Sequence, residues 1–191
     1  VVPCMTTERI CLFTDTGVLH QVKVSEIPGG KLRDKGTPID NLSKFDGTKE
    51  RPVLVISSSE LVGNRFLFAT RGAMVKLVPG EEFETNNRMV AATRLQDEDA
   101  VLIVQRLDGE IEAVLQTSAG IFLRFSLEEI PEMKKNARGV RGIKLSRDEV
   151  LEAVHLLDGN GDPTALYKEK QVHLSRLKLG KRDGKGSKAR E

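Results

Sequence analysis

Leu12-Phe13-Thr14-Asp15-Thr16-Gly17-Val18 returns as Phe68-Ala69-Thr70-Arg71-Gly72-Ala73-Met74 and again as Leu115-Gln116-Thr117-Ser118-Ala119-Gly120-Ile121. Each copy is an apolar run, a Thr, two turn residues, a Gly (Ala73 in the second) and a second apolar run. The first and third copies agree further on. Glu26-Ile27-Pro28 matches Glu129-Ile130-Pro131, and Lys35-Gly36-Thr37-Pro38-Ile39 sits where Arg138-Gly139-Val140-Arg141-Gly142-Ile143 does. A period of about fifty residues marks a modular architecture built from one supersecondary unit.

The repeats read as β throughout. Arg9 to Thr14 and Gly17 to Val24 are β-rich runs around a turn at Asp15-Thr16, where the Gly supplies positive φ at little steric cost. Asn64 to Thr70 leads through a turn into Ala73 to Val78, and Ile111 to Thr117 into Gly120 to Phe125. Pro52 to Ser57 and Ala100 to Val104 are buried-strand runs. Helical periodicity is scarce: Glu81 to Arg88 and Leu127 to Met133 read as short, irregular connectors. Units of this size with roughly four strands cannot bury both faces alone, so neighbours must pack on them. The expected fold class is all-β, a propeller-like β-pinwheel of about four four-stranded blades. The repeats fall at approximately 1–58, 59–107, 108–157 and a degenerate 158–180. In the last, Lys168 takes the Thr position and Gln171 the Gly position, and 181–191 forms a basic tail.

Of the 191 residues, none is Trp, one is Tyr and seven are Phe, so Val, Ile and Leu must fill the core. The formal net charge is only +2, but Lys168 to Glu191 holds nine Lys/Arg against three Asp/Glu. A basic end on a near-neutral body points to an acidic partner, nucleic acid before membrane; plain solubility is the bland reading. Cys4 and Cys11 are too few for a disulfide framework or a zinc knuckle, which fits a reducing cytosol. No apolar run is long enough to span a membrane, and no signal peptide opens the chain. Val1-Val2-Pro3, without a starting Met, suggests a piece of a longer protein.

These residues resemble the C-terminal domain of the A subunit of bacterial type IIA topoisomerases, DNA gyrase and topoisomerase IV. That family's repeat runs apolar-Phe-Thr-x-x-Gly-x-Val-Lys, then a basic loop, then an Arg-Gly-Val-Arg-Gly-Ile-type strand. Phe66-Leu67-Phe68-Ala69-Thr70 through Met74-Val75-Lys76 is similar to the first element. Asn136-Ala137-Arg138-Gly139-Val140-Arg141-Gly142-Ile143-Lys144-Leu145 is similar to the last. The resemblance covers nearly the whole chain. It implies a β-pinwheel whose blades exchange a strand with a neighbour and whose positively charged rim bends double-stranded DNA. It also implies a cytoplasmic, nucleoid-associated parent enzyme that passes one duplex through another. The parent's catalytic tyrosine would lie outside this chain. ATP and Mg would be bound elsewhere, with no cofactor in this domain. The partners would be the remainder of the A subunit together with an ATPase B subunit, in a heterotetramer. Gyrase carries a box, Gln-Arg-Arg-Gly-Gly-Lys-Gly, in its first blade. The first three repeats lack it, and Lys181-Arg182-Asp183-Gly184-Lys185-Gly186 is a partial match in the last. Gyrase and topoisomerase IV both stay open, with a lean to the latter.

Wrapping DNA needs no reacting group, only Lys and Arg along a curved surface that neutralise phosphates without reading sequence. The candidates after each turn are Lys23, Lys76 and Arg124, with Arg71 in the second turn. In the connecting loops they are Lys31, Arg33 and Lys35, then Lys134, Lys135, Arg138 and Arg141. The last repeat offers Lys170, Arg176, Lys178, Lys181, Arg182 and Lys185. Ordinary solvated side chains are the competing reading for any one of them. The second repeat's loop, Pro79 to Arg88, is acidic where the others are basic, through Glu81, Glu82 and Glu84. Catalytic and metal readings are weak. Asp97-Glu98-Asp99 reads as a solvated turn, and His20, His155 and His173 lack a nucleophile beside them. Asp158-Gly159-Asn160-Gly161-Asp162 mimics a calcium loop but has Pro163 where that loop needs Gly. The rival function is a propeller used for protein–protein contact, which should expose an aromatic cluster. A spacer that only sets the geometry of the assembly is the third reading.

Overall fold

The structure, a computed structural model, describes residues 1–188. Among these residues there is no α-helix, only strands and 3-10 turns, and no helix is long and apolar enough to cross a membrane. The first hairpin is β1 (Arg9–Thr14) with β2 (Val18–Lys23), followed by β3 (Pro52–Ser57). The second is β4 (Arg65–Thr70) with β5 (Met74–Pro79), followed by β6 (Met89–Ala91) and β7 (Val101–Arg106). The third is β8 (Glu112–Thr117) with β9 (Ile121–Ser126), followed by β10 (Val140–Arg141) and β11 (Leu151–Leu157). The last is β12 (Thr164–Tyr167) with β13 (Lys170–His173), followed by β14 (Ser187–Lys188).

The repeated Thr is explained by the turn it closes. Gly17 N, Ala73 N and Gly120 N donate to the carbonyls of Thr14, Thr70 and Thr117 at 3.1, 2.9 and 2.9 Å. One residue later, the amides of Val18, Met74 and Ile121 donate to the same threonines' hydroxyls at 3.4, 3.2 and 3.2 Å. Gly17, Ala73 and Gly120 all have positive φ, as a three-residue hairpin loop requires at that place. The fourth hairpin is built differently. Tyr167 pairs with Lys170 across a two-residue turn in which Lys168 and Glu169 both have positive φ. The turn is one residue shorter, so Tyr167 closes it and Lys168 does not hold the Thr position expected for it.

Three sheets have four strands, ordered β3-β1-β2-β6, β10-β5-β4-β7 and β11-β8-β9-β14, and the fourth is the β12-β13 hairpin alone. In each complete blade the strand beside the hairpin's second strand comes from the following repeat: β6 joins β2, β10 joins β5 and β14 joins β9. This is the expected strand exchange. It also corrects the tail: Ser187–Lys188 is the outer strand of the third blade, so no domain boundary falls at residue 180, while residues 189–191 lie outside the described residues. On the other edge of each sheet, β3 contacts β7 and β7 contacts β11. These third strands therefore gather at the hub and the donated strands lie at the perimeter.

Cores form between blades. Cys11, Phe13 and Leu19 of the first blade pack on Phe66, Phe68 and Val78 of the second. Phe13 meets Phe66, Phe68 and Phe83 at ring-centroid distances of 6.3, 5.9 and 5.1 Å. Leu67, Ala69 and Val75 pack on Ala113, Leu115, Leu123 and Phe125 of the third blade. Val114 and Phe122 pack on Ala165 and Val172 of the fourth. Each fully buried Phe or Leu contributes about 1.5–3 kcal/mol, so the cohesion of the disc lies between blades rather than within them. The first blade's free face is covered by its own connecting loop: Leu12, His20 and Val22 are buried, and the Phe45 ring stands edge-on to His20 at 5.8 Å.

Candidate nucleic-acid interface

The donated strands and the loops leading into them carry the basic side chains in register. Val18, Met74 and Ile121, each one residue past the turn, pair with Ala91, Arg141 and Lys188. Three residues before those partners stand Arg88, Arg138 and Lys185, all exposed. Gly139 and Gly186, which follow two of these bases, have φ of +95° and +66°, and Gly36 after Lys35 has +68°. Lys35 is the matching residue of the first repeat by sequence, but among the described residues that repeat donates no strand; each of the three donated strands, β6, β10 and β14, is led in by a base. Four residues earlier lie Lys31, Lys134 and Lys181, again exposed, with Glu84 in the second repeat. Arg88 is absent from the sequence candidates because it ends an acidic loop and no Gly follows it; only the pairing with β2 aligns it. Its Nη2 lies 2.9 Å from Glu26 Oε1, and it remains 57% exposed. Arg94 and Lys144, matched positions three residues past Ala91 and Arg141, are exposed as well and escape the sequence reading for want of the same alignment.

Two candidates are corrected. Lys76 is buried at 1% exposure, and its Nζ donates to the carbonyls of Lys135 at 2.7 Å, Ala137 at 2.9 Å and Lys134 at 3.5 Å. Burial pulls its ammonium down to about 8 against a smaller opposing effect of Glu82, and the Phe68 ring lies 5.1 Å away. Arg124 is also turned inward. Its Nε donates to Glu112 Oε2 at 2.7 Å, and its Nη1 to the carbonyls of Leu177 at 3.1 Å and Ser175. Lys76 is not free to meet a phosphate, and Arg124 spends its Nε and Nη1 on these internal partners and keeps 20% exposure. The sequence grouping of Lys23, Lys76 and Arg124 joins different positions of the second strand, and alternation sends neighbouring positions to opposite faces.

The other candidates divide by their partners. Lys31, Arg33, Lys35, Arg71, Lys134, Arg138, Lys178, Lys181 and Lys185 are exposed and carry no ion pair among the described residues. Arg71 stands in the β4–β5 turn, where its counterparts are Asp15 and Ser118, so it belongs to no basic row. Lys23 lies 4.0 Å from Glu26, and Arg176 donates to Asp162 Oδ2 at 3.2 Å while 72% exposed. Lys170 is exposed at the start of β13. Lys135 Nζ donates to the carbonyl of Glu82 at 2.7 Å. Arg141 forms a two-toothed pair with Asp183, and its hydrogen bond holds that carboxyl below the usual range. Arg182 donates to the carbonyls of Glu129 at 2.9 Å and Arg141 at 2.7 Å. Lys135, Arg141 and Arg182 thus stitch the donated segments to the disc, although Arg141 keeps 55% exposure.

The acids collect elsewhere. Glu26, Glu81, Glu82, Glu128 and Glu129 all lie in the 3-10 turns Val24–Glu26, Gly80–Phe83 and Leu127–Glu129 that follow the second strand of each blade. Glu81 accepts from Gly63 N at 2.8 Å, and Glu82 from Lys135 N at 3.2 Å. Asp99 accepts from the amides of Gly72 and Ala100, both at 2.8 Å, as a turn cap. Asp158 caps Asn160 N at 2.8 Å in the β11–β12 connection. No metal-holding group of His, Cys, Asp and Glu occurs among the described residues. His20 Nε2 lies 2.8 Å from Glu50 Oε1 inside the first blade, a structural placement.

The DNA gyrase C-terminal domain, β-propeller, matches residues 64–108 and 112–158 as a family model. The A chain of DNA gyrase from Lawsonia intracellularis is 32% identical over 175 residues, covering 91% of this chain and 21% of that protein. The solved C-terminal domain of DNA topoisomerase IV superposes with a TM-score of 0.85 at 25% identity, covering 95% of this chain and 58% of that one. A solved DNA gyrase A C-terminal domain gives 0.71 at 17% identity over 97% of this chain and 61% of its own, a likeness of fold alone. The chain spans about a fifth of the length of the curated relatives it matches. The Thr-closed hairpins, the strand exchange between blades and these matches together place the chain in the family of C-terminal β-propeller domains of the DNA gyrase and topoisomerase IV A subunits.

Proposed function

We propose that this domain binds duplex DNA along its perimeter and bends it, without base readout, for a parent type IIA topoisomerase. The observation that carries the reading is the recurrence of exposed bases at one register of the donated strands, Arg88, Arg138 and Lys185, seconded by Lys134 and Lys181, with Lys31 and Lys35 at the matching sequence positions of the first repeat. Cations repeated blade by blade track a curved phosphate backbone, and counterion release supplies the affinity. The near-neutral net charge is no obstacle, because the exposed bases Arg138 and Lys185 carry no ion pair among the described residues, whereas Glu81 and Glu82 in the 3-10 turn Gly80–Phe83 accept main-chain hydrogen bonds. A protein-contact role lacks its usual signature: the buried residues include Phe13, Phe45, Phe66, Phe68, Phe83, Phe122 and Phe125, and the exposed large apolar residues include no aromatic ring.

In the parent enzyme the domain would hold a duplex beside the strand-passage gate and act without a reacting group of its own. ATP and Mg would be handled by other domains and by the B subunit. The test is a duplex of several tens of base pairs labelled at both ends, titrated with the chain across a salt series. Binding that draws the ends together and weakens steeply with salt is expected. A rim making roughly six to ten phosphate contacts loses about 10³–10⁵ in affinity between about 50 and 200 mM salt. No binding at low salt would falsify the proposal and leave the protein-contact propeller. Binding without approach of the ends would reduce it to a straight clamp.

A further inference from the structure

We propose that Lys76 is a positioning residue for DNA binding: its buried ammonium holds the loop 134–137 against the second blade, so that Lys134 and Arg138 stand at the perimeter. The inference rests on the DNA reading above and adds a residue that touches no DNA. An ammonium has three hydrogens and no acceptor capacity, and here it faces the carbonyls of Lys134, Lys135 and Ala137. Those carbonyls belong to the turn that launches β10, in which Ala137 N also donates to Lys134 O at 3.0 Å. The side chains of Lys134 and Arg138 leave the same turn into solvent.

The neighbouring blades hold their donated segments from another position of the second strand, three residues past Val18 and Ile121, whereas Lys76 stands two past Met74 and so on the opposite face. Gln21 Nε2 donates to the carbonyls of Thr85 and Asn87 at 3.3 and 3.2 Å, just ahead of Arg88. Arg124 reaches the carbonyls of Ser175 and Leu177 on the loop that leads to Lys181. In each complete blade, a donor on the second strand therefore grips main-chain oxygens of the segment that carries the next repeat's bases. Gln, Lys and Arg serve as donors to such loops from two positions of the strand, so a hydrogen-bond donor rather than one particular charge is what these loops require. A loop so held keeps its bases in place before DNA arrives, which lowers the ordering cost of binding.

The decisive variants are Lys76→Met, which removes every donor at similar volume, and Lys76→Gln, which restores the donor type used by Gln21. Hydrogen exchange at Ala137 and duplex affinity across a salt series are read on the full chain. With Lys76→Met, the Ala137 amide should exchange roughly tenfold faster while β4 amides stay protected. Duplex affinity should fall by roughly tenfold, with Lys76→Gln between the two. Unchanged exchange at Ala137 overturns the proposal. So does a loosened loop with unchanged DNA affinity, and so does a lowered salt slope with exchange intact, since that would make Lys76 a direct phosphate partner. If the unaltered chain binds no duplex, the DNA reading falls and the positioning role falls with it. The exchange result then still decides whether Lys76 holds the loop.

Discussion

Burial separates basic side chains that a sequence row makes look equivalent. Lys76 has lost nearly all contact with water, whereas Arg138, reached through the same loop, keeps it. A folded-state value of about 8 against an ordinary 10.5 has a definite consequence. Between those values the unfolded chain binds more protons than the folded one, so stability rises with pH through that window and is lost as pH falls through 8. Denaturant titrations of the unaltered chain and Lys76→Met should therefore diverge from pH 8 upwards, in favour of the unaltered chain; parallel curves would contradict a buried, titrating Lys76. Glu84 offers the opposite experiment. It is exposed at the register held elsewhere by Lys31, Lys134 and Lys181, while Glu81 and Glu82 serve as backbone acceptors. Glu84→Lys should tighten duplex binding and steepen the logarithmic salt slope by about 0.9, the increment of one added phosphate contact. Charge reversal at Glu81 should instead loosen its hydrogen bond to Gly63 with little gain in binding, a contrast that affinity and thermal melting read together.

At the level of elements, the donated strand is the vulnerable part because it is short and rests on few pairs. β10 contributes only Val140 and Arg141 to the second blade, and it is led in by Gly139 at φ +95°. A Cβ there would lie 2.6 Å from the carbonyl oxygen of Val75, whereas Gly36, also at positive φ, has nothing within 4 Å. Gly36→Ala should cost only backbone strain, about 1 kcal/mol, while Gly139→Ala adds a main-chain collision and should cost about 2–3 kcal/mol. Equal midpoints for the two variants in urea would refute the argument. The same elements decide what is legible in the sequence. The Thr-closed hairpins are readable because turn chemistry and β alternation lie within one short stretch. The donated strands are not, since two or three residues pairing with the preceding repeat leave no local period; only Arg138-Gly139 and Lys185-Gly186 hint at them. The fourth hairpin reads one residue out of register because Lys168 and Glu169 adopt positive φ without Gly or Asn. Lys76 and Arg124 read as rim residues because the face of a strand depends on parity, and aligning the repeats on their charges loses the parity that their turns define.

For the whole disc, the question is whether the perimeter holds DNA straight or bent. The hub contacts β3–β7 and β7–β11 fix successive blades around a centre, and the bases recur once per complete blade on the far edge. A straight duplex can touch the bases of adjacent blades only, whereas a bent one reaches them all. Smooth bending of a 20–30 base-pair site by 40–90° costs of order 1–6 kcal/mol, which added phosphate contacts must offset. A single-nucleotide gap midway along the duplex removes much of that cost without changing the phosphates on offer at its flanks. Gapped duplex should therefore compete better than intact duplex of the same length. The gain should be roughly tenfold for each ~1.4 kcal/mol of bending relieved, and an A-tract, being stiff, should compete worse. The preference should shrink in Arg88→Ala and in Lys185→Ala, each of which leaves at this register only the bases of two adjacent blades, within reach of a straight duplex. Competition binding at fixed salt reads all of these. Equal affinity for gapped, intact and A-tract duplexes would mean that the bases act as a patch on one side of the disc and that the perimeter bends nothing.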